Sequence, residues 1–506
     1  MINNMIQLYL LNSVDNYGSI NSGGIKYMEI KKFKNGFTTF VGAALKPLIL
    51  ILVLTAIGSV KAYYKGIDLS AFIAIIFALS TIVLGYLLLK NKILTNKSKL
   101  IIILLWAFIV RVLWLININT VPVSDFNTMY ESAKSVLQGN YDMMWGTGYI
   151  ARFPHLTVMT MYMALMLKIF PNALFAMKIV NLILGVVTVY LIYLISREIF
   201  EDKKYALVGA LISSIFPPFI SYTGVFCTEN IAIPFYLVSI YIFLLACKKK
   251  VKPYMFIVSG ALLSIGNLFR MVAVIALFAF VMYIIIYTDN KVKEKLKNIL
   301  MVIVSFVLVL AIASSTLRAF KITENNLWKG AEPAITIILK GTNVEYGGRW
   351  NPDDAAIPEK YNFDYDAIDK ACKDKIYERL TTTPISTLAS FYLSKYAVQW
   401  SEGDLSGIFW SQLNVPDDGI IVKFDAGGKV VEQVVYAIIL ILVFIGLFNK
   451  KRYKEHSEIN LFYILFCGYG LFYLATEMQS RYSYIVCWLF IILAISGFEK
   501  IKKFKN

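Results

Sequence analysis

Charge is scarce in this chain: of 506 residues only 16% are Asp, Glu, Lys or Arg, and acids are outnumbered 33 to 50. Histidine occurs twice. The five cysteines, at 227, 247, 372, 467 and 487, form no CxxC pair and no metal-ligand spacing, so a disulfide framework is not indicated. No clear internal repeat of the kind common in transporters is visible. Residues 1–36 lack an apolar, cleavable leader; their "NYGSINSGG" and "KYMEIKKFKNG" stretches suggest a disordered cytoplasmic tail, and Met28, followed by Lys31, Lys32 and Lys34, would serve equally as a start.

What the chain has in quantity is hydrocarbon. It is 58% hydrophobic, with apolar runs at roughly 37–60, 69–89, 100–118, 154–170, 174–195, 205–222, 230–247, 253–287, 298–318, 431–448, 459–476 and 482–498. Runs of this length can cross a bilayer core, so a polytopic membrane protein is expected. The net charge of +17 does not point to nucleic acid, because the lysines cluster between apolar runs rather than along one face. Four Lys or Arg fall in each of 1–36, 90–99, 248–253, 288–298, 449–458 and 499–506, and three in 196–204; these segments are read as cytoplasmic.

Parity then fixes the rest. The loop after 100–118 is extracytoplasmic and 196–204 is inside, so only one of 154–170 and 174–195 crosses. The run 154–170 opens with polar residues, contains Lys168 and ends at Pro171, and is expected to lie along the outer interface. The run 253–287, between two basic loops, must be a hairpin turning outside near "GNLFRM". Residues 319–430 carry 16 acids against 12 bases and form an extracytoplasmic region; within it "PISTLASFYLSKYAVQW" is apolar enough to dock on the membrane, but Lys395 argues against a span. The expected fold is therefore an all-α polytopic bundle of about 12 transmembrane helices with juxtamembrane helices. Its parts are a tail (1–36), an N-terminal module (37–318) with a first outer loop at 119–173, the outer region (319–430), and C-terminal helices with a basic tail (431–506).

The same parity places Asp125, Glu229 in "FCTENIAIP", Arg270 in "NLFRM" and Arg481 in "EMQSRYSY" at the outer ends of helices. Each has a plain explanation. Asp125 follows Ser124 at the start of a helix whose apolar residues run from Phe126 to Leu137, where an acid complements the helix dipole; that field also favours the charged form a general base or metal ligand needs. Glu229 after Thr228 is likewise a first-turn acid, Arg270 a possible hairpin cap, and Arg481 with Tyr482 an interfacial anchor pair. His155, after Pro154, reads as structural. Taken together, two acids and two arginines on one face suit a reaction at a phosphorylated lipid: guanidinium forks match phosphate, and an ionised acid activates an acceptor.

The stretches "SDFNTMYESAKSVLQGNY", "RFPHLTVMTMYMALMLKIF", "LVGALISSIFPPFISYTGVFCTENIAIPFYLV" and "SRYSYIVCWLFIILAISGFEK" resemble the GT-C glycosyltransferases, in particular the protein mannosyltransferase and aminoarabinose transferase-like group. The resemblance covers roughly 100–290 and 455–500. It implies Asp125 and Glu229 as catalytic acids and candidate ligands of a divalent metal ion (Mg or Mn), with outer arginines on the donor phosphate: here Arg270 and Arg481, with Tyr482. It also implies a polyprenyl-phosphate sugar donor, a glycan, lipid or protein acceptor, and an active site on the outer face of the cell membrane, both termini being cytoplasmic. Two apolar runs precede the first outer loop beyond the family pattern, the mannosyltransferases' Asp-Glu pair is Asp125-Phe126 here, and no "PPL" follows. The expected activity is inverting glycosyl transfer; the alternatives are a transporter or flippase of lipid-linked saccharides, using the same arginines without chemistry, and a structural assembly subunit, which would need neither acid.

Overall fold

Inside a bilayer every backbone N–H and C=O must be bonded within its own segment, so each long apolar run is expected to be helical. A computed structural model of the chain describes residues 21–64, 66–200 and 202–503, and none of these forms a strand. The first elements are α1 (Asn21–Tyr63), α2 (Leu69–Lys90), α3 (Asn96–Asn117), α4 (Ser124–Leu137), α5 (Thr157–Ile169), α6 (Ala173–Ile199), α7 (Lys203–Ser214) and α8 (Glu229–Cys247). They are followed by α9 (Met255–Phe269), α10 (Val274–Tyr287), α11 (Val292–Ala319), α12 (Tyr365–Thr382), α13 (Ile385–Ser401), α14 (Gly427–Gly446), α15 (Ile459–Ala475) and α16 (Trp488–Lys503). Side-chain caps set several starts. Asp68 accepts from the Ala71 amide at 2.9 Å, Thr95 from Ser98 at 3.1 Å and Asn172 from Phe175 at 3.1 Å.

Among the described residues seven helices are long and apolar enough to cross a membrane: the Lys32–Tyr63 part of α1, then α2, α3, α6, α8, α11 and α14. Counting bent helix pairs as single spans gives up to ten. The chain is thus an all-α, multi-pass membrane protein, but the expected count of 12 is not reached by length. The run 205–222 is broken by 55° before Pro217, and 482–498 by 64° between Val486 and Trp488. The halves of the 253–287 hairpin are helices of 15 and 14 residues, and α15 has 17. Of the expected tail, residues 1–20 lie outside the described residues; from Asn21 the backbone is already helical and continues into the first span, with no proline before Pro47.

The 154–170 run yields α5, 13 residues and about 20 Å long at 1.5 Å per residue, short of a core of about 30 Å. The preceding short helices meet it at 111°. Its neighbour α6, with 27 residues, has the length to span. The hairpin reading of 253–287 is visible in one side chain: Phe243 of α8 meets Phe256 of α9 edge-on at 5.8 Å and stacks on Phe280 of α10 at 3.9 Å, so the chain passes that level twice. Helices α8 and α9 pack antiparallel through reciprocal bonds, Ser239 Oγ to the Ser259 carbonyl at 2.8 Å and Ser259 Oγ to the Ser239 carbonyl at 2.9 Å. Interhelical polar bonds in membrane proteins contribute only about 0.6 kcal/mol on average. Ser239→Ala is accordingly expected to lower stability by about 0.6 kcal/mol in a reversible unfolding assay, with the helix pair intact.

The 319–430 region is built around Asp354. This carboxylate is fully buried and accepts from Asn343 and Asn351 at 3.0 Å each, from Arg379 Nη2 at 2.8 Å and from Lys375 at 3.0 Å. Burial alone would raise its pKa, but these bonds hold it well below the usual carboxylate range. Helix α13 is held from one side by protein and leaves Ile385 and Leu393 exposed on the other. It packs on α1, α15 and the Ser480–Val486 turn, and its buried Lys395 donates to the Gly341 and Leu474 carbonyls at 2.7 Å. The region also grips the first loop: Arg152 Nε and Nη2 both bond Glu332 Oε2, at 2.9 and 2.7 Å, and the Ala331 amide bonds the Ala151 carbonyl at 2.8 Å. At its other end the Glu477 amide donates to the Ile337 carbonyl and the Met478 amide to Gly348, at 2.9 and 2.7 Å. Two stretches far apart in sequence, 149–155 and 477–482, are thereby fixed by one clamp.

Candidate functional site

Asp125 lies in the first turn of α4, as expected, but does not cap it. Val123 holds the capping position of α4 without any side-chain bond, and Ser124 takes φ +47°, a left-handed conformation costing a non-glycine residue about 1 kcal/mol. The Asp125 carboxylate instead accepts a 2.6 Å hydrogen bond from the Tyr149 hydroxyl through Oδ1 and turns Oδ2 toward Arg481 Nη2 at 3.8 Å. Its side chain keeps 38% exposure, so one face is open to an incoming group. The Tyr149 phenol is pushed up by burial and by the Asp125 charge, so it stays a donor to that carboxylate.

Glu229 opens α8 and is almost fully buried. Thr228, the preceding residue, spends its hydroxyl on Glu229 Oε2 at 3.0 Å rather than on the helix amides. Oε1 lies 3.4 Å from Arg270 Nε without a hydrogen bond. Arg270 ends α9; its carbonyl is held by the Tyr236 hydroxyl at 2.7 Å, and its guanidinium lies 5.1 Å from the centre of the Tyr482 ring. Arg481 projects from the Ser480–Val486 turn into an aromatic frame, 4.8 Å from Trp410, 5.0 Å from Phe126 and 5.6 Å from Tyr482. Its Nε and Nη1, and Arg270 Nε, are buried and have no hydrogen-bond partner. Leaving such donors unsatisfied costs on the order of 1–3 kcal/mol each, more for a charged group, so the arrangement has a strong appetite for an anion.

All five residues expected at the outer face therefore come from four separate elements to one place. Tyr482 does so in an unexpected manner: its hydroxyl donates to Glu477 Oε1 at 3.0 Å, and its ring, rather than its hydroxyl, faces both guanidinium groups. His155, read from the sequence as structural, sits within the electrostatic reach of Asp125, Glu229, Arg270 and Arg481; burial and the arginines push its imidazole down to about 4, so it is neutral at physiological pH. Tyr149, Glu477 and Trp410 were not singled out. Among 32 tyrosines and 8 tryptophans, nothing local marks Tyr149 or Trp410.

A metal fits this donor set poorly. Among the described residues no three His, Cys, Asp or Glu side chains form a group that could hold an ion. Glu229 already faces a guanidinium, and only Asp125 has the open oxygen surface a Mg or Mn ion would need.

Residues 155–317 match the family described as dolichyl-phosphate-mannose-protein mannosyltransferase. No curated protein matches the chain. Solved structures with similarity include the oligosaccharyltransferase of Archaeoglobus fulgidus in the apo form, at 14% identity and a TM-score of 0.48, covering 82% of this chain and 52% of that one. The archaeal oligosaccharyltransferase AglB of the same organism, in complex with an inhibitory peptide and a dolichol-phosphate, gives 13% identity and a TM-score of 0.44, covering 81% and 51%. The same organism's enzyme in complex with Zn and sulfate gives 14% identity and a TM-score of 0.33, covering 75% and 53%. The chain spans about half the length of these structures. The matched family segment contains His155, Glu229 and Arg270 and excludes Asp125 and Arg481, and through it the chain resembles the GT-C membrane glycosyltransferases of the protein mannosyltransferase group.

Proposed function

We propose that this protein is an inverting glycosyltransferase that moves a sugar from a polyprenyl-phosphate carrier to a hydroxyl-bearing glycan, lipid or protein on the outer face of the cell membrane. The observation that supports this most directly is the meeting of an open carboxylate with two buried, incompletely bonded guanidinium groups. The acceptor oxygen attacks the anomeric carbon as its proton passes to Asp125. The bond from that carbon to the phosphate oxygen breaks, and its electron pair leaves with the polyprenyl phosphate. The growing charge on that oxygen is what Arg481 and Arg270 offset. Glu229 keeps both guanidiniums in place, and Tyr149 orients Asp125. The 119–173 loop carries the acid, and the 319–430 region covers the site.

The direct test is incubation of the purified chain with a polyprenyl-phosphate hexose, with release of polyprenyl phosphate as the readout. Sidedness has its own test. Cysteines placed at Ser124 and Trp350 should react with an impermeant thiol reagent in intact cells, and one at Lys92 should not; the reverse pattern would invert the proposed topology.

A further inference from the structure

Beside the acid and arginine cluster lies a cavity of about 560 Å³, whose walls come from α1, the 349–350 loop, the end of α13 and the 477–480 stretch. Its size falls within the range of about 300–1,000 Å³ usual for small-molecule sites. Its chemistry differs from that of the arginine cluster. Trp350 stands on the lining with 59% of its surface exposed, opposite the Tyr63 end of α1. Two carboxylates, Glu402 and Glu477, share the lining with Ser406, Ser480 and Gln479. Gln479 Oε1 is buried and has no hydrogen-bond partner.

The two carboxylates in this wall are balanced from behind, and Arg349 adds an exposed cation to the lining. Glu402 bonds Lys429 at 2.8 Å and the Ser406 hydroxyl at 2.7 Å, and Glu477 faces Lys340 at 3.9 Å. Hydroxyl groups would find acceptors in Glu402, Glu477 and Gln479, a donor in Arg349, which also lines the cavity, and an aromatic face for their C–H side. The cavity also adjoins the reaction site through one residue: Glu477 lines it and accepts from Tyr482, whose ring faces Arg270 and Arg481.

We infer that this cavity is a subsite for a hydroxyl-rich saccharide, the part of the acceptor that Trp350 stacks and Gln479 and Glu402 orient toward Asp125. The assignment of that saccharide to the acceptor rests on the transferase reading above; the binding itself does not.

The test is saturation-transfer NMR on the full chain in a sugar-free detergent, with methyl hexosides as probes. Wild type should give saturation transfer to the hexoside. Trp350→Ala and Gln479→Ala should each weaken hexoside binding at least ten-fold. Trp328→Ala, which removes a tryptophan 56% exposed outside the cavity, should not. Absence of hexoside contact with wild type, or equal binding by both cavity variants, would overturn the inference. Discharge of a polyprenyl-phosphate hexose by wild type is scored separately: its absence sinks the transferase reading, while the hexoside result continues to decide the subsite.

Discussion

Asp125→Asn should yield a folded protein that has lost about 10²-fold or more of its turnover. The fold has little to lose at this position. The α4 start does not use the Asp125 side chain as a cap, Phe126, Met129 and Ala133 remain buried below it, and an asparagine oxygen can still accept from Tyr149. Arg481 loses one of two nearby acids but keeps Glu229, so a change of about 1 kcal/mol or less is expected, the scale of a first-turn charge. What the amide cannot do is take a proton, and a positioned general base contributes about 10²–10⁴-fold. Detergent-purified variant and wild type are compared by release of polyprenyl phosphate and by thermal unfolding. Near-normal turnover by the Asn variant would end the role of Asp125 as base. A destabilised variant with normal specific activity would return it to a purely structural acid.

Asp125, Glu229, Arg270 and Arg481 could be grouped from sequence because of one physical constraint, the cost of leaving charge in hydrocarbon. Lysine clusters give the loops an expected parity, and that expectation alone groups the four polar residues at one end of their helices. How they are paired was not legible. Ser124 and Thr228 stand at the expected helix starts, but Ser124 is left-handed and Thr228 bonds its neighbour's carboxylate, choices set by tertiary contacts. Nor did it indicate that the Tyr482 hydroxyl is committed to Glu477, since the clamp that brings 477–482 beside 149–155 runs through backbone bonds of the 319–430 region. Helix number suffered for a related reason. Windows of apolar residues do not register that 205–222 bends before Pro217 or that the hairpin helices are only 15 and 14 residues long. The two arginines show most plainly what composition could not supply, because both were visible as anomalies and only the fold reveals which of their donors are free.

Arg481→Gln should cost donor handling more than Arg270→Gln does, and both more than any change in use of the acceptor. Arg481 has two buried nitrogens without partners and touches Asp125 through its third; Arg270 has one such nitrogen and is the main counter-charge of Glu229. Hydrogen bonds to charged groups contribute roughly 1.5–3 kcal/mol each. Loss of the Arg481 fork should therefore weaken apparent donor affinity by about 10–100-fold at 1.4 kcal/mol per decade. Lysine should not restore it, because a point charge cannot reproduce the planar fork. Arg270→Gln carries a separate liability: it strips the nearest cation from a buried carboxylate, which is strongly destabilising when only one partner is removed. The double variant Arg270→Gln, Glu229→Gln separates the two effects. If Arg270 serves only the fold, the double variant should recover both stability and donor affinity. If it also holds the donor phosphate, the double variant recovers its melting temperature while the KM for the polyprenyl-phosphate sugar stays raised, and that split between folding and KM is what phosphate binding by Arg270 requires.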